Sequence, residues 1–116
     1  MDAHLADLIS FVEASPSSYH AAEQVAARLA ASGYRGQDET EPWDASPGGH
    51  YVVRDGAVVA WRIPGTPSAA AGFRIVGAHT DSPGFKLKPR PTTGAAGWQQ
   101  AGMEVYGGPL LNSWLD

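Results

Sequence analysis

Two side chains in this 116-residue sequence, His79 and Asp81, have the types and the spacing for metal chemistry. In an extended chain, residues two apart project to the same side, so this imidazole and this carboxylate can face one site together. Neutral imidazole is the commonest protein ligand for zinc-like ions. A nearby carboxylate fixes its tautomer and raises its basicity. Taken alone, His-x-Asp beside a turn also fits a hydrogen-bonded surface histidine, so both readings stand at this point.

The stretch that must position the pair is GFRIVGAHTDSPGFKLKPRP, residues 72–91. It opens with Phe73, Ile75 and Val76, interrupted only by Arg74, and passes through Gly77 and Ala78 before reaching His79. Such a run predicts a buried strand over residues 73–78. The pair would then sit just past the carboxyl edge of a sheet, where open α/β sheets bind ligands. Pro83 stiffens the exit and prevents a simple continuation.

The remaining elements follow from periodicity and turn chemistry. Leu5, Leu8, Ile9 and Val12 recur at helical spacing and predict a short amphipathic helix ending near Ala14. Ser17 or Ser18 is placed to cap a second helix, which carries Ala22, Val25, Ala26 and Leu29 on one stripe and ends at Gly33. His20 lies in its first turn. Residues 36–49 read as a surface loop pinned by Trp43. Asp55-Gly56 predicts a hairpin joining strands over 50–54 and 57–63, with Val59, Trp61 and Ile63 on a face that should pack on a helix. Residues 64–72 read as a loop. Phe85 to Lys88 alternates apolar and basic, with Pro89-Arg90-Pro91 expected to close it and residues 92–97 to form a loop. Residues 98–106 look strand-like, with Met103 and Val105 on one face. Residues 110–116 form a last apolar-polar segment.

Composition narrows the function classes. The length allows one domain at most, or part of one. A net charge of -4 gives no basic footprint for nucleic acid, and Lys86, Lys88 and Arg90 read as a solvated strand face. With no cysteine there is no thiol nucleophile, disulfide framework or thiolate metal site. The acidic start (Asp2, Asp7) is unlike a secretory signal, and no apolar run reaches the length of a membrane span. A cytoplasmic protein with no membrane partner is the expectation.

The strings AHTDSP and FKLKP resemble the signature of the M18 metallopeptidases, the aspartyl aminopeptidase family. SPSSYHAAEQVAARLAASGY, ETEPW and VYGGPLLNSWLD resemble that family in the same order, so the resemblance covers essentially the whole chain. It implies an α/β fold: the N-terminal part of a di-metal aminopeptidase-like domain, with helices packed on a mixed sheet, followed by the first strands of an inserted β-rich domain. The expected division is 1–91 for the peptidase part and 92–116 for the start of the inserted assembly or lid domain. It also implies a zinc-dependent exopeptidase, with two divalent ions per site in the full-length enzyme, that removes N-terminal and typically acidic residues from peptide substrates. A homo-oligomer is implied for that protein.

In that pattern His79 matches a metal ligand and Asp81 the catalytic carboxylate that orients it. His4, His20 and His50 match no ligand motif. Asp55, Glu104 and Asp116 have no ligand spacing around them. Relatives supply the other ligands and the general base downstream of NSWLD, so the chain is expected to be an N-terminal fragment inactive by itself. Two alternatives remain open: a non-catalytic truncated product, and a related di-metal carboxypeptidase or deacylase.

Overall fold

The structure, a computed structural model, describes residues 2–66, 68, 72–110 and 112. Pro67 and residues 69–71 of the expected 64–72 loop lie outside the described residues, as do Asp116 and most of the 110–116 segment. The chain divides into two compact units, Met1–Asp81 and Ser82–Asp116.

The first unit begins with α1 (Ala3–Glu13) and α2 (Ser18–Ala31). Asp2 caps α1 by accepting the His4 amide at 3.0 Å, and the helix stops at Ala14. The two helices are tied by Asp7 and Arg28, whose guanidinium lies 2.6 Å from the carboxylate and over the Phe11 ring. Ser17 occupies the N-cap of α2, but its hydroxyl pairs with the His20 ring at 2.8 Å and not with a backbone amide. His20 is thereby given a structural partner at the helix start. Gly33 ends the helix with φ +82, a left-handed conformation that glycine adopts without steric cost.

A mixed three-stranded sheet follows, in the order β1 (Arg35–Gly36), β2 (Gly48–Arg54), β3 (Ala57–Ile63). The first two strands pair in parallel and the hairpin β2–β3 is antiparallel. Asp55 takes φ +52 in the two-residue connecting turn. Helix α2 lies against β2 and β3, and among the described residues Ala21, Ala22, Val52 and His50 are buried.

The loop over residues 37–47 is pinned through Trp43, as its position predicts, and the details explain how. Trp43 stacks on Trp61 at 5.3 Å, and Trp61 stacks on His50 at 5.6 Å. The cover found on Trp61 is therefore an aromatic loop residue and not a helix, and Val59 on the same face stays 60% exposed. His50 is fully buried with both ring nitrogens satisfied: the Gln37 amide nitrogen lies 2.8 Å from Nδ1, and Nε2 lies 2.8 Å from the Ser46 carbonyl. The Gln37 side-chain oxygen accepts the Asp44 amide, so its nitrogen faces His50. Nδ1 must then accept and Nε2 must donate, which fixes the tautomer.

Ion pairs close the loop on both sides. Arg35 meets Asp44 at 2.7 Å, and Arg54 forks onto Glu39. The hydrogen bond from Arg54 holds the Glu39 carboxyl below its ordinary range. Asp44 is lowered by the Ser46 amide and then by the Ser46 hydroxyl; Asp38 is lowered by the Thr40 hydroxyl and then by its amide.

The expected strand over residues 73–78 is not formed. This stretch joins neither sheet, and Phe73, Ile75 and Val76 are 94%, 87% and 99% exposed. A strand is stable only when its backbone groups are paired, and one apolar on both faces also needs layers above and below. No described residue supplies them here.

The second unit is a long hairpin of β4 (Gly84–Ala95) and β5 (Trp98–Tyr106). The Pro-Arg-Pro segment does not close the strand, and residues 92–95 belong to β4 rather than to a loop. Pairing runs to Leu87↔Met103 and resumes at Thr92↔Ala101. Between those points four residues of β4, both prolines among them, oppose Gly102 alone. Proline cannot donate to a ladder, so a bulge accommodates it without ending the strand. Ala96 (φ +52) and Gly97 (φ +83) make the reversal.

Candidate metal centre

His79 and Asp81 stand at the end of the first unit, on irregular backbone, and not at a sheet edge. Both are exposed, at 80% and 64% of their side-chain surface, while Thr80 between them is part-buried. The imidazole and the carboxylate are thus both open to solvent, with Thr80 between them held against the fold. The closest partner of His79 Nδ1 is the Asp81 backbone carbonyl at 2.6 Å; the Asp81 carboxylate is farther, at 3.5 Å. A carbonyl can only accept, so Nδ1 carries the proton and the Nε2 lone pair is presented to solvent. That is the form in which a histidine ligates a metal through Nε2.

The donor set fits one corner of a metal site. No group of three or more His, Cys, Asp or Glu side chains that could hold an ion occurs among the described residues. His50 is consumed by its own structural network, His20 by Ser17, and Glu104 by the Tyr106 hydroxyl at 2.9 Å. Sequence reasoning did not find the bond from Thr80, whose hydroxyl donates to the Gly56 carbonyl at 2.6 Å. The two residues lie 24 positions apart, and nothing in either motif signals the contact.

The family model described as aminopeptidase I zinc metalloprotease (M18) matches residues 11–116. The chain belongs to the M18 peptidase family. It is 57% identical over 113 residues to the "Probable M18 family aminopeptidase 2" of Streptomyces coelicolor, covering 97% of this chain and 26% of that protein. The protein of the same name from Mycobacterium leprae is 47% identical over 116 residues, which is 27% of its length. This M18 chain thus spans about a quarter of the curated relatives it matches. Among solved structures, a chain of the cryo-EM structure of the Ape4 and Nbr1 complex superposes with a TM-score of 0.83 at 34% identity, over 94% of this chain and 22% of that one. The crystal structure of prApe1 gives 0.78 at 27% identity, over 90% and 23%. The likeness supports the mixed α/β fold and an aminopeptidase family for the chain. Among the described residues no helix is long and apolar enough to cross a membrane.

Proposed function

We propose that the protein to which this chain belongs is a metal-dependent aminopeptidase that removes N-terminal, acidic residues from peptides, with His79 as one metal ligand. The observation that carries the reading is the hydrogen bond from Nδ1 of His79 to the Asp81 carbonyl, which leaves Nε2 free, in a chain of the M18 family. Asp81 contributes twice: its backbone orients the ring, and its carboxylate sets the local charge beside it. The chemistry supplied by a bound ion of this class is Lewis-acid polarisation of a peptide carbonyl and activation of water. His79 and Asp81 hold and orient; the further ligands, the second ion and the general base belong to parts of the full-length protein outside this chain. The chain is read as the opening part of the peptidase domain, expected over 1–91, followed by the start of an inserted assembly or lid domain, expected over 92–116, with the β4–β5 hairpin running across that boundary. The full-length protein is read as a cytoplasmic homo-oligomer using zinc.

The test is made in the full-length protein. His79→Ala should lower metal content and aminopeptidase turnover together, and Asp81→Asn should cost turnover more than metal, since the backbone carbonyl that orients the ring survives the substitution. Stoichiometric metal with full activity in His79→Ala overturns the assignment. The second reading, a non-catalytic fragment, applies to residues 1–116 alone and is favoured by the single-corner donor set. This chain should hydrolyse no fluorogenic aminoacyl substrate with added zinc, cobalt or manganese. Turnover that disappears in His79→Ala would mean that these residues complete a site unaided. Cleavage of N-acyl or C-terminal substrates by the full-length protein, in preference to aminoacyl ones, would point instead to a carboxypeptidase or deacylase.

A further inference from the structure

The segment bearing His79 and Asp81 has no strand ladder to hold it, yet it is fastened to the fold at one point. Thr80 turns away from its two exposed neighbours, and its hydroxyl donates to the Gly56 carbonyl at 2.6 Å. Gly56 is the second residue of the β2–β3 turn, where Asp55 already takes a left-handed conformation. That turn is itself wedged against the start of α2. A Cβ placed on Gly56 would lie 2.6 Å from Ser18 Oγ and 3.3 Å from the Ser18 carbonyl carbon. Helix start, hairpin turn and Thr80 therefore form a line of close contacts that ends between the two site residues.

We propose that Thr80 is a positioning residue for the metal ligand His79, and that the Asp55-Gly56 turn is the fixed point against which it is held. The inference rests on the reading of His79 as a ligand. Thr80 is part-buried against the scaffold while the side chains on either side of it are exposed, so anchoring Thr80 keeps His79 and Asp81 facing outward. The bond also limits rotation of the segment about its own axis, which the Nδ1 bond of His79 to the adjacent Asp81 carbonyl cannot do: that bond lies within the segment and turns with it. Loss of the hydroxyl leaves the imidazole chemically intact but free to swing, and it leaves the Gly56 carbonyl without this partner.

The experiment uses the full-length protein prepared metal-free, with zinc affinity measured by competition against a chromophoric chelator and stability by thermal melting before zinc is added. Thr80→Val keeps the shape and removes the donor. It should weaken zinc binding by about tenfold or more, the scale on which partners that orient a ligand act, while the metal-free melting temperature stays close to that of the parent. Thr80→Ser restores a hydroxyl and should return the affinity to within about twofold of the parent, a rescue that a loss of packing would not show. Gly56→Ala retains the Thr80 hydroxyl but drives a methyl group into Ser18, displacing the acceptor, and should weaken zinc in the same direction.

Parent-like zinc affinity in Thr80→Val, alongside lost affinity in His79→Ala, overturns the positioning role and leaves the ligand reading intact. An equal deficit in Thr80→Val and Thr80→Ser overturns it as well, as does a deficit matched by melting of the metal-free protein. If Thr80→Val does not fold, folded Gly56→Ala with unchanged zinc affinity overturns it independently. Parent-like zinc affinity in His79→Ala removes the ligand reading and this inference together.

Discussion

Two stretches of this chain carry strand-type apolar sequence, and they end in opposite states. Residues 48–63 form a hairpin whose His50 and Val52 are buried. Residues 73–78, more continuously apolar, stay unpaired with Phe73 almost fully exposed. The difference is the distance to a partner. Asp55-Gly56 returns the chain onto itself after two residues, so each strand supplies the other's hydrogen bonds at small entropic cost. Nothing local returns to 73–78. Apolar composition gives a stretch a reason to be covered, but only a partner in register makes it a strand.

Hydrogen exchange is the sharpest probe of this contrast and should show the largest effect. In the 116-residue chain, amides of β2 and β3 should be protected and those of residues 73–78 should exchange at rates close to an open chain. Protection over 73–78 comparable to the hairpin would mean that the stretch finds a strand partner, in this molecule or another. Size-exclusion chromatography separates those cases. The exposed Phe73, Ile75, Val76, Leu87, Trp98 and Val105 lead us to expect association; a sharp monomer peak with cooperative unfolding would contradict it.

Truncation comes next in size. Phe73→Ala should cost less than about 0.5 kcal/mol in residues 1–116, the range of surface substitutions. In the full-length protein, where we propose that this strand is buried, it should cost about 3 kcal/mol. Trp61→Ala should cost about 2 kcal/mol in either context, because its partners Trp43 and His50 are local to the first unit and the ring is half-buried. Denaturant melts of both lengths decide it, and equal costs for Phe73→Ala would erase the distinction.

Acid should produce the smallest effect, confined to the hairpin's cover. The carboxyls of Asp38, Glu39 and Asp44 are held below their ordinary values of 3.8, 4.5 and 3.8 in the folded loop. A depressed carboxyl contributes stability above its unfolded pKa and loses it as pH falls through the folded one. The 37–47 loop should therefore loosen only below about pH 4, read as a change in Trp43 emission. All three groups are exposed, so solvent screening keeps the contribution small. Loosening between pH 5 and 7 would require a different group.

Much of the secondary structure was legible in the sequence because it is local. The helix over residues 3–13, the start of the second helix at Ser17–Ser18, the stop at Gly33 and the Asp-Gly hairpin each depend on residues within a few positions of one another. The readings of 73–78 as a strand, and of 89–97 as a stop and loop, failed because the deciding facts were distant. One was the lack of a partner among the described residues; the other was a facing strand in which Gly102 makes room for a bulge.

The same division holds for the candidate site. By itself the sequence determined that His79 and Asp81 are spaced so that they can face one site and that the chain resembles the M18 family, since spacing and motif are properties of order alone. Tertiary structure decided what turns and anchors them: the Asp81 carbonyl, nearer than its carboxylate, faces the imidazole, and Thr80 is fastened to a turn 24 positions away. It also decided that His50, which matches no ligand motif, is a fully buried structural residue. Hydrogen-bond partners are chosen by proximity in space, and proximity between distant residues exists only once the helix start and the hairpin turn have come together.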